Sequence, residues 1–124
     1  MHGIDVWTYR ETTLGNGVGT IDVVGHEVEA IDGSIGKIDD ATYDAGSAYV
    51  VVDTGPWIFG KKVILPAGVI ARVDPDDEKV YVNRTKDQIK NAPEFDEELT
   101  SDEAYRGEIG GYYGPGGAGY RDFD

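Results

Sequence analysis

The sequence predicts an all-β fold: a small antiparallel barrel or sandwich of about six short strands, flanked by two arms. Three observations predict it. Runs of β-branched and aromatic residues recur at short, regular spacing, with Gly, Pro and Asp between them. Little helical periodicity separates those runs, and no βαβ unit appears. The charge divides the chain in the same way. Of the net −13, residues 1–36 carry six acids against Arg10, and residues 91–124 carry nine acids against Arg106 and Arg121. Residues 37–90 are close to neutral, with nine acids and eight bases. A near-neutral centre is thus set between acidic flanks, which favour solubility and contact with basic surfaces.

Taken in order, the chain opens with a strand-like piece, Val6-Trp7-Thr8-Tyr9, and a glycine-rich link from Leu14 to Gly19. Gly15, Gly17 and Gly19 imitate a phosphate loop. Such a loop needs a strand before it and a helix after it, whereas Thr20–Val24 is β-like, so the link reads as a linker. Glu27–Ile31 alternates in period two and Asp32-Gly33 turns the chain, with Gly33 expected at positive φ. Ile35–Ala41 returns, and Gly36 is expected where the strand bends.

The apolar centre follows: Tyr49–Val52, Lys61–Pro66, Gly68–Val73 and Lys79–Val82. Between its first two strands lies Gly55-Pro56-Trp57-Ile58-Phe59-Gly60. Three large apolar residues in a loop either plug one end of the sheet or mark an interaction site. Asp74–Glu78 lacks the D-x-D-x-D-G order of a calcium loop and reads as a tight turn.

Helix signals appear only after Val82. Thr85-x-x-Gln88 is a capping box opening a helix to about Asn91, which Pro93 stops. Thr100–Glu103 is read as a second box, opening a brief helix with Ala104 and Tyr105. The stretch Gly110–Tyr120 is expected to form no regular structure by itself, although four of the eight tyrosines lie at or beyond Tyr105. A neighbouring copy is the economical partner to order it, since tyrosines stack and glycine admits close backbone approach.

Several functions find no support in the residues. The absence of cysteine removes disulfides, thiol chemistry and Cys-type metal sites and fits a reducing cytosol. Met1–Thr8 has neither the basic start nor the apolar core of a signal peptide, and no apolar run spans a membrane, so the expected location is cytoplasmic. His2 and His26 have no partners at triad spacing. Lys61, Lys62, Arg72, Lys79, Arg84, Lys86 and Lys90 are candidates for one basic patch. The net charge opposes RNA, however, and a salt-bridged surface is the expected reading.

Asp32-Gly33-Ser34-Ile35-Gly36-Lys37-Ile38, Tyr49–Asp53, Val63-Ile64-Leu65-Pro66 and Thr85–Ile89 with Pro93 together resemble the PRC-barrel domain over about residues 22–95. The residues Asp53–Lys62 and Val6–Tyr9 look like its small stand-alone actinobacterial members. Relatives include the cytoplasmic domain of the reaction-centre H subunit and the C-terminal domain of a ribosome maturation factor. The resemblance implies a six-stranded antiparallel β-barrel without catalysis or cofactor, whose theme is docking onto macromolecules. The expected organisation is an N-terminal arm at 1–21, the barrel at 22–95, and an acidic Gly/Tyr-rich arm at 96–124. The expected function is self-association through the arms, with a polymer as one form of it. The alternative is an adaptor on a ribosomal particle or membrane assembly. The interface candidates are Trp7, Tyr9, Trp57, Ile58, Phe59, Lys61, Lys62, Tyr105, Tyr112, Tyr113 and Tyr120.

Overall fold

The computed structural model describes residues 23–42, 48–55, 62–100, 102–114 and 116–120. Six strands form one sheet in the order β4-β3-β2-β1-β6-β5: β1 Glu27–Ala30, β2 Gly33–Ala41, β3 Tyr49–Asp53, β4 Lys62–Pro66, β5 Ile70–Asp74 and β6 Lys79–Val82. The number of strands and their places agree with the sequence. Their closure does not. The sheet is mixed, because β1 and β6 pair in parallel, and no pairing joins β4 to β5, so the expected antiparallel barrel is corrected to an open mixed sheet. With an 11-residue helix at Glu103–Tyr113, the class is mixed α/β.

The parallel pair has a specific origin. β1 to β4 alternate in direction as a meander, and β5 is antiparallel to β6. With β6 parallel to β1, β5 must therefore run in the same sense as β4. The chain does not reverse at Pro66-Ala67-Gly68. It turns a corner through a 3-10 turn, Ala67–Val69, held by Ala67 N–H donating to the Ala48 carbonyl (3.0 Å) and Asn83 N–H to that of Val69 (2.8 Å). That short corner links the two outer strands. A flat six-stranded sheet is about 24 Å wide, while three linking residues reach about 14 Å, so the sheet must coil strongly.

Local sequence explains how it coils. Val28 and Ala30 turn inward from β1 while Glu27 and Glu29 turn out, as their alternation predicts. Irregularities between Val28 and Glu29, and between Ile38 and Asp40, add twist. Gly33 has φ +142° at the start of β2. Gly36 also has φ +142°, and a Cβ there would lie 2.0 Å from the Asp53 carbonyl oxygen. Only glycine lets β2 cross the end of β3 so closely. At the β5–β6 turn, Asp74 Oδ1 accepts from the backbone of Asp76 (3.1 Å) and Asp77 (3.2 Å), so this acidic loop closes as a tight turn.

The capping box at Thr85 is made. Gln88 N–H donates to Thr85 Oγ1 (3.2 Å), Thr85 N–H donates to Gln88 Oε1 (2.9 Å), and α1 spans Lys86–Lys90. Lys86 N–H donates to Asp32 Oδ1 (2.8 Å), tying the helix start to the β1–β2 turn.

The second helix corrects the reading of a brief one. Asp102, not Thr100, is its cap, accepting from Tyr105 N–H (3.0 Å), and α2 runs Glu103–Tyr113 through Gly107, Gly110 and Gly111. Those glycines cost about 1 kcal/mol each in a helix. Tyr105, Ile109 and Tyr113, one per turn on a single stripe, are buried in the same core cluster as the sheet. Burying each is worth about 2 kcal/mol, so packing outweighs propensity. The core therefore holds Val28, Val50, Val52, Leu65, Ile70 and Val80 from the sheet together with Ile89 and the α2 stripe.

Candidate functional site

The interface candidates fall into two groups. Trp7, Tyr9, Trp57, Ile58, Phe59 and Lys61 lie outside the described residues. Lys62 and the four C-terminal tyrosines are described; Tyr112, Tyr113 and Tyr120 come together at the end of α2, with Tyr113 buried and the other two half-buried.

Arg84 is the node of that arrangement. It lies two residues past the end of β6 and is 2% exposed. One guanidinium nitrogen donates to the Asn83 carbonyl (2.7 Å) and another to the Tyr113 carbonyl (3.0 Å). Its central carbon lies 5.9 Å from the ring centres of both Tyr113 and Tyr120. A planar cation near two aromatic rings, with one N–H on the last carbonyl of a helix, suits both the ring quadrupoles and the helix dipole. Tyr112 donates its hydroxyl proton to the Gln88 carbonyl, and Gln88 Nε2 donates to the Tyr120 carbonyl (3.3 Å). The Tyr112 and Tyr113 rings meet edge to face, 5.0 Å apart at 88°. Gly119 N–H donates to the Tyr112 carbonyl (2.9 Å), folding the chain back over the end of α2. A Cβ at Gly117 would lie 2.0 Å from the Gly111 oxygen, so the return requires glycine there.

Tyr105 is anchored separately. Its hydroxyl donates to the Glu94 carbonyl (2.8 Å) and accepts from Asp96 N–H (2.9 Å). Burial raises the Tyr105 and Tyr112 hydroxyls above their usual range and raises Tyr113 far more. The Tyr113 hydroxyl is buried and finds no hydrogen-bond partner. The same holds for Nε2 of His26, in the turn before β1.

The candidate basic patch loses one member to the interior. Arg84 is interior, and Arg72 lies over the Tyr81 ring (4.2 Å) and beside Asp74 (3.7 Å). Lys62 donates to Asp39 (2.8 Å), a bond that, with the Asp39 charge, holds its ammonium above the usual range, with smaller contributions from Asp53 and Glu97. The exposed charge of residues 94–108 is acidic. Asp96, Glu97, Glu98, Asp102, Glu103 and Glu108 are all exposed. The buried arginine was the residue sequence reasoning missed. The i, i+4, i+8 spacing of Tyr105, Ile109 and Tyr113 signals the inward stripe, but nothing in it points to Arg84.

Two of the concavities lined by described residues bear on the site. One of about 390 Å³ lies where β1 and β2 meet the end of β3, lined by Glu27, Lys37, Asp53 and Thr54 among others. The other, about 180 Å³, lies between β4 and α1. Among the described residues no three metal-ligating side chains gather, and no helix is long and apolar enough to cross a membrane. No protein-family model matches the chain, and no curated protein matches it.

Proposed function

We propose that this chain is a non-enzymatic protein-interaction module that assembles with copies of itself, and into a polymer where the contact does not close. The observation that carries this reading is the division of the C-terminal segment into two faces. Tyr105 and Tyr113 are turned into the chain's own core, while residues 94–108 present seven acids against one base, Arg106, with all seven acids exposed. A surface of one sign held on a rigid helix and turn is suited to a partner of the other sign. Trp7, Tyr9, Trp57, Ile58, Phe59 and Lys61 are the remaining contact candidates in this proposal. The resemblance of Asp32–Ile38, Val63–Pro66 and Thr85–Ile89 to the PRC-barrel family adds an expectation of docking rather than catalysis.

The net charge of −13 favours a second reading, an adaptor on a basic partner such as a ribosomal particle or membrane assembly. Sedimentation velocity of the full chain over a wide concentration range, at low and high salt, separates the two. Self-assembly gives a sedimentation coefficient that rises with concentration. A single monomeric boundary throughout removes the first reading and leaves the adaptor. Truncating after residue 95 is unsuitable as a control, because it removes Tyr105, Ile109 and Tyr113 from the core.

A further inference from the structure

We propose that the groove between β4 and α1 seats Leu99 of a second copy, which receives the first copy's Leu99 in return. This rests on the self-assembly reading and names its contact. The groove holds about 180 Å³, room for one branched aliphatic side chain. Its apolar lining is Val63, Ile89, Ala92 and Pro93, its rim carries Lys62 and Lys90, and Glu94 stands at its edge. An apolar floor with a positive rim selects an apolar side chain flanked by carboxylates.

One such knob exists on the described surface. Val24, Ile31 and Leu99 are its exposed large hydrophobic residues, and of these only Leu99, 38% exposed, sits in an acidic run, Asp96-Glu97-Glu98-Leu99. That run is preformed as a 3-10 turn. Asp96 accepts from Glu98 N–H (3.0 Å), and Leu99 N–H donates to the Asp96 carbonyl (3.0 Å). It presents Leu99 with little ordering cost on binding.

Knob and groove are neighbours: Glu94 at the groove's edge and Asp96 at the start of the knob's turn both bond the Tyr105 hydroxyl. Leu99 nevertheless remains exposed and does not line its own groove. A two-fold axis between a knob and an adjacent groove exchanges both at once, giving an isologous contact that closes at two. Growth into a polymer then requires another surface. Lys62 is already engaged by Asp39, while Lys90 has no ion pair among the described residues, so Lys90 supplies the greater part of the attraction for the partner's Glu98. Two contacts this small fall short of the ~1,200 Å² of a stable interface, so the dimer is reversible and concentration-dependent.

Sedimentation equilibrium of the full chain tests this, with circular dichroism confirming that each variant is folded. Leu99→Ala and Lys90→Glu are each expected to weaken dimerisation about tenfold or more, because each change acts twice per dimer. Glu98→Lys alone does the same, and Lys90→Glu with Glu98→Lys recovers much of the loss. If the unsubstituted chain associates but Leu99→Ala and Lys90→Glu associate equally well, the groove is not the contact and self-assembly uses another surface. If the unsubstituted chain is monomeric throughout, this inference and the self-assembly reading fall together.

Discussion

The sheet and the C-terminal segment are held together by different chemistry. The sheet buries valine, isoleucine and leucine, on both faces at β3 and β4, and joins its strands by backbone ladders. Residues 84–120 instead use large aromatic rings, one buried arginine and hydrogen bonds to backbone carbonyls, with glycine where the chain must pass close to itself. The first kind of packing is spread over many small contacts and tolerates changes of shape that preserve volume. The second depends on a few directional contacts, in which a lost partner leaves a buried polar group uncompensated. The two are nevertheless one core, since Tyr105, Ile109 and Tyr113 pack in the cluster that contains Val50 and Leu65.

The sharpest way to break the sheet side is Gly36→Ala. It forces a Cβ against the Asp53 carbonyl and an alanine into positive φ, and costs at least about 3 kcal/mol. Urea denaturation should show a large fall in midpoint, and an unchanged midpoint would mean that β2 and β3 do not approach as described. On the other side, Ile109→Ala should cost about 2–4 kcal/mol, as for any fully buried aliphatic residue. Because the two regions share a core, sheet and helix signals should still be lost in one transition. Two separate transitions would show that the segment is an appendage. Thr85→Ala, which removes half of the capping box, should lower stability by about 1 kcal/mol in the same assay.

Tyr113→Phe has an effect of similar size to Thr85→Ala and the opposite sign. The hydroxyl it removes is buried without a partner, so the variant should be more stable by about 1 kcal/mol. It also bears on alkaline unfolding. Burial raises Tyr105, Tyr112 and Tyr113, so the folded chain keeps protons that the unfolded chain releases near the ordinary tyrosine value of about 10. Their contribution is complete below that pH and is lost as pH rises above it. Urea midpoints should therefore fall from about pH 10 upward, and fall less steeply in Tyr113→Phe. Parallel curves for the two proteins would place the alkaline lability elsewhere.

Period-two alternation, turn residues and the Thr85 capping box made all six strands and α1 legible, because each is a local preference written in adjacent residues. The acidic surface was legible as well, since Asp96, Glu97, Glu98 and Glu103 are far more often solvated than buried. The length of α2 was not, because Gly107, Gly110 and Gly111 lower its propensity while the compensating stripe is satisfied only against the sheet. Arg84 looked like a surface cation for the same reason: the carbonyl of Tyr113 and the rings that bury it lie some thirty residues away.

By itself, the sequence determined where strands form, which face of β1 is buried, where glycine is required and how the charge divides. Only the tertiary structure decided whether the sheet closes and which way its strands run. That outcome turned on Ala67–Val69, where a corner and a hairpin have the same local signature and differ only in what β5 then meets. The fate of the tyrosines was decided in the same way. An aromatic residue in a glycine-rich run can face a neighbour or its own core, and here the core was near enough to take it.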